Sequence, residues 1–374
     1  MRVGDPRYLP VAMPDTSCAN VAIVILNYNG AHFLRQFLPG VLAHAAGARV
    51  VVADNASTDD SLALLSREFP TVERLEFAEN LGFCRGYNRA LELVEAEYFV
   101  LLNSDVAVRP GWLPPLLRLL TDDLSIAAAQ PKILSHADPT LFEYAGAGGG
   151  YLDMLAYPFC RGRLFDTLEP DRGQYDDARP VAWASGACCL VRASAWRELG
   201  GLEPAFFAHM EEIDFCWRAQ NAGYAIWYAG GASVVEHVGG GTLPTGSPRK
   251  TFLNFRNGLA LLYKNAAPGE LAGPLLLRLV LDGVAGLRFL AAGQVGNCWA
   301  VLRAHFSFYR HWGYWQRQRR AARPRLRVAE RAGTYAGSVV WAYFGRGQRT
   351  FPTLNSGCFD SAPPMKGNVP TSAL

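Results

Sequence analysis

The chain has 374 residues, half of them hydrophobic, with a formal net charge of only +3. That length accommodates a large catalytic domain plus a smaller appendage, and the near balance of charge argues against a chain-wide nucleic-acid-binding field. Eight cysteines, at 18, 84, 160, 188, 189, 216, 298 and 358, show neither CxxC spacing nor a regular framework, so they read as reduced thiols of a cytosolic protein.

The N-terminus is broken by Pro6, Pro10 and Pro14 and lacks the charged-then-apolar layout of a signal peptide. The first predicted strand, Val21 to Leu26, is wholly apolar and ends in Asn27-Tyr28-Asn29-Gly30. A helix is predicted from Ala31 to Ala46, with Phe33, Leu34, Phe37, Leu38, Val41 and Leu42 on one stripe. A second strand, Arg49 to Ala53, delivers Asp54 and Asn55 to its end; Ser57 or Thr58 then caps a helix running to Phe69. The third, Val72 to Phe77, leads into Asn80-Leu81-Gly82-Phe83-Cys84-Arg85-Gly86-Tyr87-Asn88. The fourth, Glu97 to Leu102, ends in Asn103-Ser104-Asp105. Strands apolar on both faces and separated by helices imply a mainly parallel sheet sandwiched by helices, an α/β fold. Ligands of such sheets bind at the carboxyl ends of the strands, and all four units place polar residues there. Further along, Ser185-Gly186 opens an apolar strand, Glu211-Glu212-Ile213-Asp214 opens a helix, and His237 ends a strand-like run before three glycines. No complete GxGxxG or Walker loop is present; the glycines of Phe142 to Tyr151 have the wrong spacing and setting.

In this order the motifs resemble the family 2 glycosyltransferases with the GT-A fold, closest to the bacterial rhamnosyltransferase-like branch. The resemblance runs from about Val21 to about Asn265. It implies a Rossmann-like nucleotide-binding half and inverting transfer from a nucleoside-diphosphate sugar, L-rhamnose among the donors. It also implies a Mg2+ or Mn2+ ion and, as acceptor, a cell-surface glycan or lipid-linked hydroxyl. Asp54 would contact a pyrimidine base, or is alternatively a turn aspartate. Asn27, Asn55, Asn80, Arg85, Asn88, Asn103 and Ser104 would line the donor pocket, although Asn27 and Asn55 also suit turns and Arg85 a surface position. Asp105 and His237 would hold the metal, with Asn103 standing at the first position of the usual Asp-x-Asp pair. Glu212 occupies the place of the family's catalytic base, usually aspartate, with Glu211 as fallback. Asp214 more readily organises its helix, since acids in a first helical turn are favoured in any case. The segment from Phe142 through Arg163 resembles a loop over the active site.

The long apolar stretch from Leu271 to Gly293 is interrupted by Arg278, Asp282 and Arg288, which argue against a membrane span. From Arg303 to Arg327 there are eight arginines, two histidines, no acids and six interleaved aromatics. That composition suits an anionic membrane surface, or alternatively a solvated basic helix closing the domain, and suits RNA less well beside sugar-transfer motifs, so nucleic acid is not an expected partner. The expected layout is a tail (1–20), a catalytic domain (21–250), a helical basic-aromatic region (251–330) and a C-terminal tail (331–374), peripheral on the inner face of the cytoplasmic membrane. Two alternatives remain open: a non-catalytic nucleotide-sugar-binding scaffold, or a sugar nucleotidylyltransferase.

Overall fold

A computed structural model describes residues 18–143, 146–239, 246–323, 326, 331–354 and 359. Four βα units open it: β1 (Val21–Asn27), α1 (Ala31–Ala43), β2 (Arg49–Asp54), α2 (Ser61–Glu68), β3 (Glu73–Glu76), α3 (Gly82–Leu93) and β4 (Tyr98–Asn103). The apolar stripe of α1 buries Leu34, Phe37, Leu38 and Val41 against the sheet, while Leu42 stays exposed. The start of α2 is held by Asp59, not by Ser57 or Thr58. The Asp59 carboxylate accepts from the backbone N–H of Ser61 and of Ala31, both at 3.0 Å, tying the first turns of α1 and α2 together.

Next come β5 (Val106–Val108), α4 (Leu113–Asp122), β6 (Ile126–Gln130) and β7 (Lys132–Ser135). An insertion follows: β8 (Gly150–Asp153), β9 (Pro158–Cys160), β10 (Arg163–Leu164), β11 (Thr167–Leu168) and β12 (Arg179–Pro180). The chain returns through β13 (Cys188–Arg192), α5 (Ala193–Leu199), α6 (Glu211–Asn221), β14 (Ala225–Tyr228) and β15 (Val234–His237). It closes with α7 (Pro248–Asn265), α8 (Ala272–Ala291), α9 (Val295–Arg310), α10 (Trp312–Ala322) and β16 (Thr334–Tyr335).

The main sheet has the order β12-β14-β6-β13-β4-β1-β2-β3. The half β4-β1-β2-β3 is parallel, as the apolar runs require, but β13 runs antiparallel to both β4 and β6, so the sheet is mixed. Parallel pairing needs a helical crossover, and β13 follows the β8–β12 insertion instead. That insertion, with β16, is a second sheet of order β11-β10-β9-β8-β16. The reading of Phe142 through Arg163 as a loop over the site is therefore corrected. Tyr144 and Ala145 lie outside the described residues, and Phe142, Tyr151, Phe159 and Cys160 belong to the core. The glycines serve close packing: a Cβ on Gly150 would lie 2.2 Å from the Trp183 ring.

One hydrophobic cluster runs from α3 and β13 through α6, α7 and α9 to Tyr335 and Tyr343. Residue 250 thus marks a change in what the helices do, not a second core. The apolar turn at 338–344 docks through Val339, Ala342 and Tyr343. The basic-aromatic segment is only partly displayed: Phe308 and Trp315 are buried, and Arg319 is turned inward to donate to the carbonyls of Tyr263 and Ala266. Arg325 and Arg327 lie outside the described residues.

Helix α6 is locked to α7 by a buried ionic network. Asp214 Oδ2 accepts from Arg218 Nε at 2.8 Å and Lys264 Nζ at 2.9 Å, and its Oδ1 accepts from Asn265 Nδ2 at 2.8 Å. Lys264 also donates to Glu203 Oε2 at 2.8 Å. Burial alone would raise the Asp214 carboxyl, but Lys264 and Arg218 overcome it and hold the group down to about 2. Its contribution to stability is consequently complete above the unfolded carboxylate range and is lost as pH falls towards 2. Lys264→Met leaves Glu203 buried without a cation and Asp214 with Arg218 as its remaining one, so we expect a loss of about 3 kcal/mol, read by urea denaturation at neutral pH. A change below about 1 kcal/mol would show the network to be neutral, as for exposed pairs.

Candidate active site

The strand register sets out the donor side. Asn27 pairs with Asp54 across β1 and β2, and Leu26 with Asn103 across β1 and β4, so three polar strand ends lie side by side. Asn27 Nδ2 donates to Asp54 Oδ1 at 3.0 Å and to Ser57 Oγ at 3.1 Å, and the Ser57 N–H donates to Asp54 Oδ2 at 2.9 Å. Asp54 is buried and aimed by two loops at once, while the Asn27 side-chain oxygen is buried with no hydrogen-bond partner. A buried orphan acceptor carries a desolvation cost that a bound donor group would relieve. Ser104 sits beside this turn, its Oγ 3.4 Å from where a Cβ on Gly30 would be.

Other predicted donor residues are occupied with backbone. Asn55 Nδ2 donates to Asn80 Oδ1 at 3.0 Å and to the Gly82 carbonyl at 3.2 Å, and its Oδ1 accepts from the Leu81 N–H at 2.9 Å. These contacts brace the entrance of α3, where Gly82 has φ +74° and the Phe207 ring lies 2.8 Å from its absent Cβ. Asn88 is braced by backbone, its amide donating to the Leu202 carbonyl and accepting from the Leu202 N–H, both at 2.8 Å, while the residue lines the same cleft as Arg85. Arg85 is exposed and lines an open cleft of about 600 Å³ with Phe77, Glu79 and Leu81.

Strands β5, β15 and β7 form a three-stranded sheet. In it β15 pairs antiparallel with β5, placing His237 opposite Val106 and so beside Asp105. His237 Nε2 is 3.3 Å from Asp105 Oδ1, and its Nδ1 is 3.2 Å from Glu143 Oε2. All three side chains are buried. Burial disfavours the charged ring, yet the two carboxylates outweigh it and raise His237 to about 10. Glu143 escaped the sequence reading; nothing local distinguishes it from a loop acid, since its partner lies 94 positions downstream. A ligating histidine usually has a carboxylate beside its other ring nitrogen; here Glu143 lies on the Nδ1 side of His237 and Asp105 on the Nε2 side. Among the described residues no three His, Cys, Asp or Glu side chains converge on one ion-sized point. Two protein ligands nevertheless suit a divalent cation that takes its remaining ligands from donor phosphates and water. The residues present therefore fit Mn2+ or Mg2+, and the imidazole nitrogen favours Mn2+.

The three predicted acids open α6. Residues Phe207, His209 and Met210 just before it have φ of 67°, 67° and 73°, left-handed values that cost non-glycine residues of order 1–3 kcal/mol each. Helix α7 holds this run: Asn257 Nδ2 donates to the carbonyls of Phe206, Ala208 and His209, and Arg256 Nη2 to those of Ala205 and Phe206. The strained turn starts α6 at Glu211, so the next residue, Glu212, comes out of it half-buried. A Cβ on Gly186 would lie 3.7 Å from both the Glu212 Cβ and the Phe83 ring, which puts Ser185-Gly186 beside the start of α6. Burial pushes the Glu212 carboxyl up to about 7. Glu211 is more deeply buried, and burial with the neighbouring Glu212 charge raises it well above the carboxylate range. Of the three acids, Asp214 is neutralised by Lys264 and Arg218, burial and the Glu212 charge disfavour the ionised form of Glu211, and Glu212, the less buried of the pair, is the better placed to ionise.

Residues 22–143 match Glycosyl transferase family 2. An N-acetylglucosaminyl-diphospho-decaprenol L-rhamnosyltransferase of Mycobacterium tuberculosis is 30% identical over 234 residues, covering 58% of this chain and 75% of the relative. The chain belongs to glycosyl transferase family 2. Rhamnosyltransferase WbbL of Escherichia coli K12 is 24% identical over 227 residues, 58% of this chain and 83% of that protein. Among solved structures, mannosyltransferase PcManGT of Pyrobaculum calidifontis in complex with GDP-Man and Mn2+ aligns with a TM-score of 0.49 at 16% identity, covering 82% of this chain and 86% of that one. The enzyme is thus a glycosyltransferase of the rhamnosyltransferase-like branch. Its architecture is α/β, with a mixed sheet and a helical C-terminal region, and it moves a sugar from a nucleotide-sugar donor.

Proposed function

We propose that this glycosyltransferase moves L-rhamnose from a nucleoside diphosphate to a hydroxyl of a lipid-linked cell-surface glycan, with inversion, at the inner face of the cytoplasmic membrane. The observation that carries the mechanism is the Glu212 carboxyl at the start of α6, beside Gly186 and Phe83, with one oxygen buried and without a hydrogen-bond partner; burial pushes it up to about 7. It accepts the proton of the acceptor hydroxyl as that oxygen attacks the anomeric carbon from the face opposite the diphosphate. One base and one in-line displacement invert the centre. On the donor side Asp54 orients the base, with Asn27 and Ser104 beside it, and Asn103 borders the diphosphate. Asp105 and His237 would hold a divalent cation, which when bound would supply positive charge for the diphosphate. Asn55 and Asn80 act by shaping the α3 entrance. Support for rhamnose and for a diphospho-lipid acceptor comes from the printed names of the relatives.

The test is incubation with Mn2+ or Mg2+, a panel of dTDP-, UDP- and GDP-sugars, and a short-chain diphospho-lipid acceptor bearing N-acetylglucosamine. Release of nucleoside diphosphate should be fastest with dTDP-L-rhamnose, and product NMR should show inverted anomeric configuration. Retention would overturn the single-displacement mechanism, and preference for another sugar would overturn the donor assignment.

A further inference from the structure

Helix α8 is inside out. Its charged residues Arg278 and Asp282, which break the apolar run in the sequence, face the protein and are buried. Arg278 Nη1 donates to the Leu155 carbonyl at 3.0 Å, and its guanidinium lies 3.8 Å from the centre of the Tyr157 ring. Asp282 accepts from the Tyr157 hydroxyl at 3.0 Å and lies 3.1 Å from His305 Nε2. With those charges turned inside, the outward face of α8 is Leu276, Leu277, Val280, Val284, Leu287 and Leu290, all exposed. Helix α9 packs beside it and presents Val295, Trp299, Leu302, Phe306 and Tyr309, at successive intervals of four, three, four and three residues that form one stripe. Leu276, Leu287, Trp299 and Phe306 are 60–69% exposed. Phe344 and Trp341 extend the surface, with Arg288 stacked 4.6 Å over the Phe344 ring.

A helix facing water places its charges outward, whereas α8 turns Arg278 and Asp282 inward and leaves leucines and valines outside. Contiguous apolar patches beyond a few hundred Å² mark interaction sites. Charge decides what covers this one. Between Gly283 and Ala329 the sequence has no acidic residue, and the exposed charged side chains bordering the stripe include Arg288, Arg303, Arg310 and Arg317. A second copy packed face to face would oppose arginine to arginine, whereas anionic phospholipid headgroups complement them. No described helix is long and apolar enough to cross a membrane, so the mode is to lie within the surface rather than to span it.

We propose that the α8–α9 hairpin is embedded in one leaflet of an anionic bilayer, its Leu/Val/Trp/Phe stripe among the acyl chains and its arginines at the phosphates. This deepens the reading of a lipid-linked acceptor and rests on it only for its purpose. It moves the membrane contact from the basic stretch of α10, partly folded into the core, to the outer faces of α8 and α9.

The test is flotation of the full chain with phosphatidylglycerol-containing and with purely phosphatidylcholine vesicles, beside the triple variant Leu276→Gln/Leu287→Gln/Phe306→Gln. Because these side chains are exposed, the variant should fold, as checked by its melting transition. We expect wild type to float with anionic vesicles, the variant to lose at least tenfold in partition, and Arg303→Ala/Arg310→Ala to lose the anionic preference. Turnover of a water-soluble acceptor should be unchanged in every variant, so failure of that activity in wild type would count against the proposed reaction and leave the lipid result standing. Flotation of the triple variant like wild type, no flotation of wild type, or a lipid-free dimer dissolved by the same substitutions would each overturn the proposal.

Discussion

Glu212→Gln should lower kcat by roughly 10²–10⁴-fold, the usual contribution of a positioned general base, with donor binding nearly unchanged. The amide keeps size and hydrogen bonding but cannot take the acceptor's proton. The same carboxyl fixes the pH response. Burial raises it to about 7, so the competent, ionised form grows as pH rises through 7, and kcat should climb across that range in wild type. The climb should vanish in Glu212→Gln. Glu211→Gln is the essential control: burial and the neighbouring Glu212 charge disfavour the ionised form of Glu211, so removing its acidity should change kcat far less. A dead Glu211→Gln beside a wild-type Glu212→Gln would move the base by one residue. Glu212→Asp restores the shorter acid typical of the family, and its activity reports whether the strained 207–210 turn brings the backbone close enough to compensate for one methylene.

Asp105→Ala should abolish transfer, and chelation of divalent metal should do the same to wild type. Asp105 acts on charge that develops as the diphosphate leaves, an interaction realised in the transition state and so expressed in kcat. Asp54→Ala, in contrast, removes binding shared by ground and transition states, and should mainly raise the donor KM. A readout independent of turnover separates the metal role from a folding defect. Mn2+ affinity, followed by electron paramagnetic resonance in the presence of a nucleoside diphosphate, should fall sharply in Asp105→Ala and stay near wild type in Asp54→Ala. Full activity of Asp105→Ala in the presence of EDTA would remove the metal assignment.

Much of the donor half was legible in the sequence, for a local reason. A strand buried on both faces must be continuously apolar, so β1, β2 and β4 announce themselves, and whatever polar residue follows them stands at the sheet's edge. Which of those polar residues faces a ligand was not legible. Asn27, Asn55, Asn80 and Asn88 are the same chemistry at similar turns, and only the fold shows that Asn88 is committed to Leu202 and Asn55 to the Leu81–Gly82 backbone. The assignment among Glu211, Glu212 and Asp214 was likewise a matter of surroundings. Lys264, fifty residues on in α7, neutralises Asp214, and depth of burial separates the other two. Glu143 became part of the site only when β15 paired with β5 and turned His237 between two carboxylates. In α8 the sequence determined an apolar helix carrying three charges, but which way those charges point depends on Leu155, Tyr157 and His305, partners remote in the chain. Local pattern specifies how much apolar surface a segment has; tertiary packing decides which side of it is left for a partner.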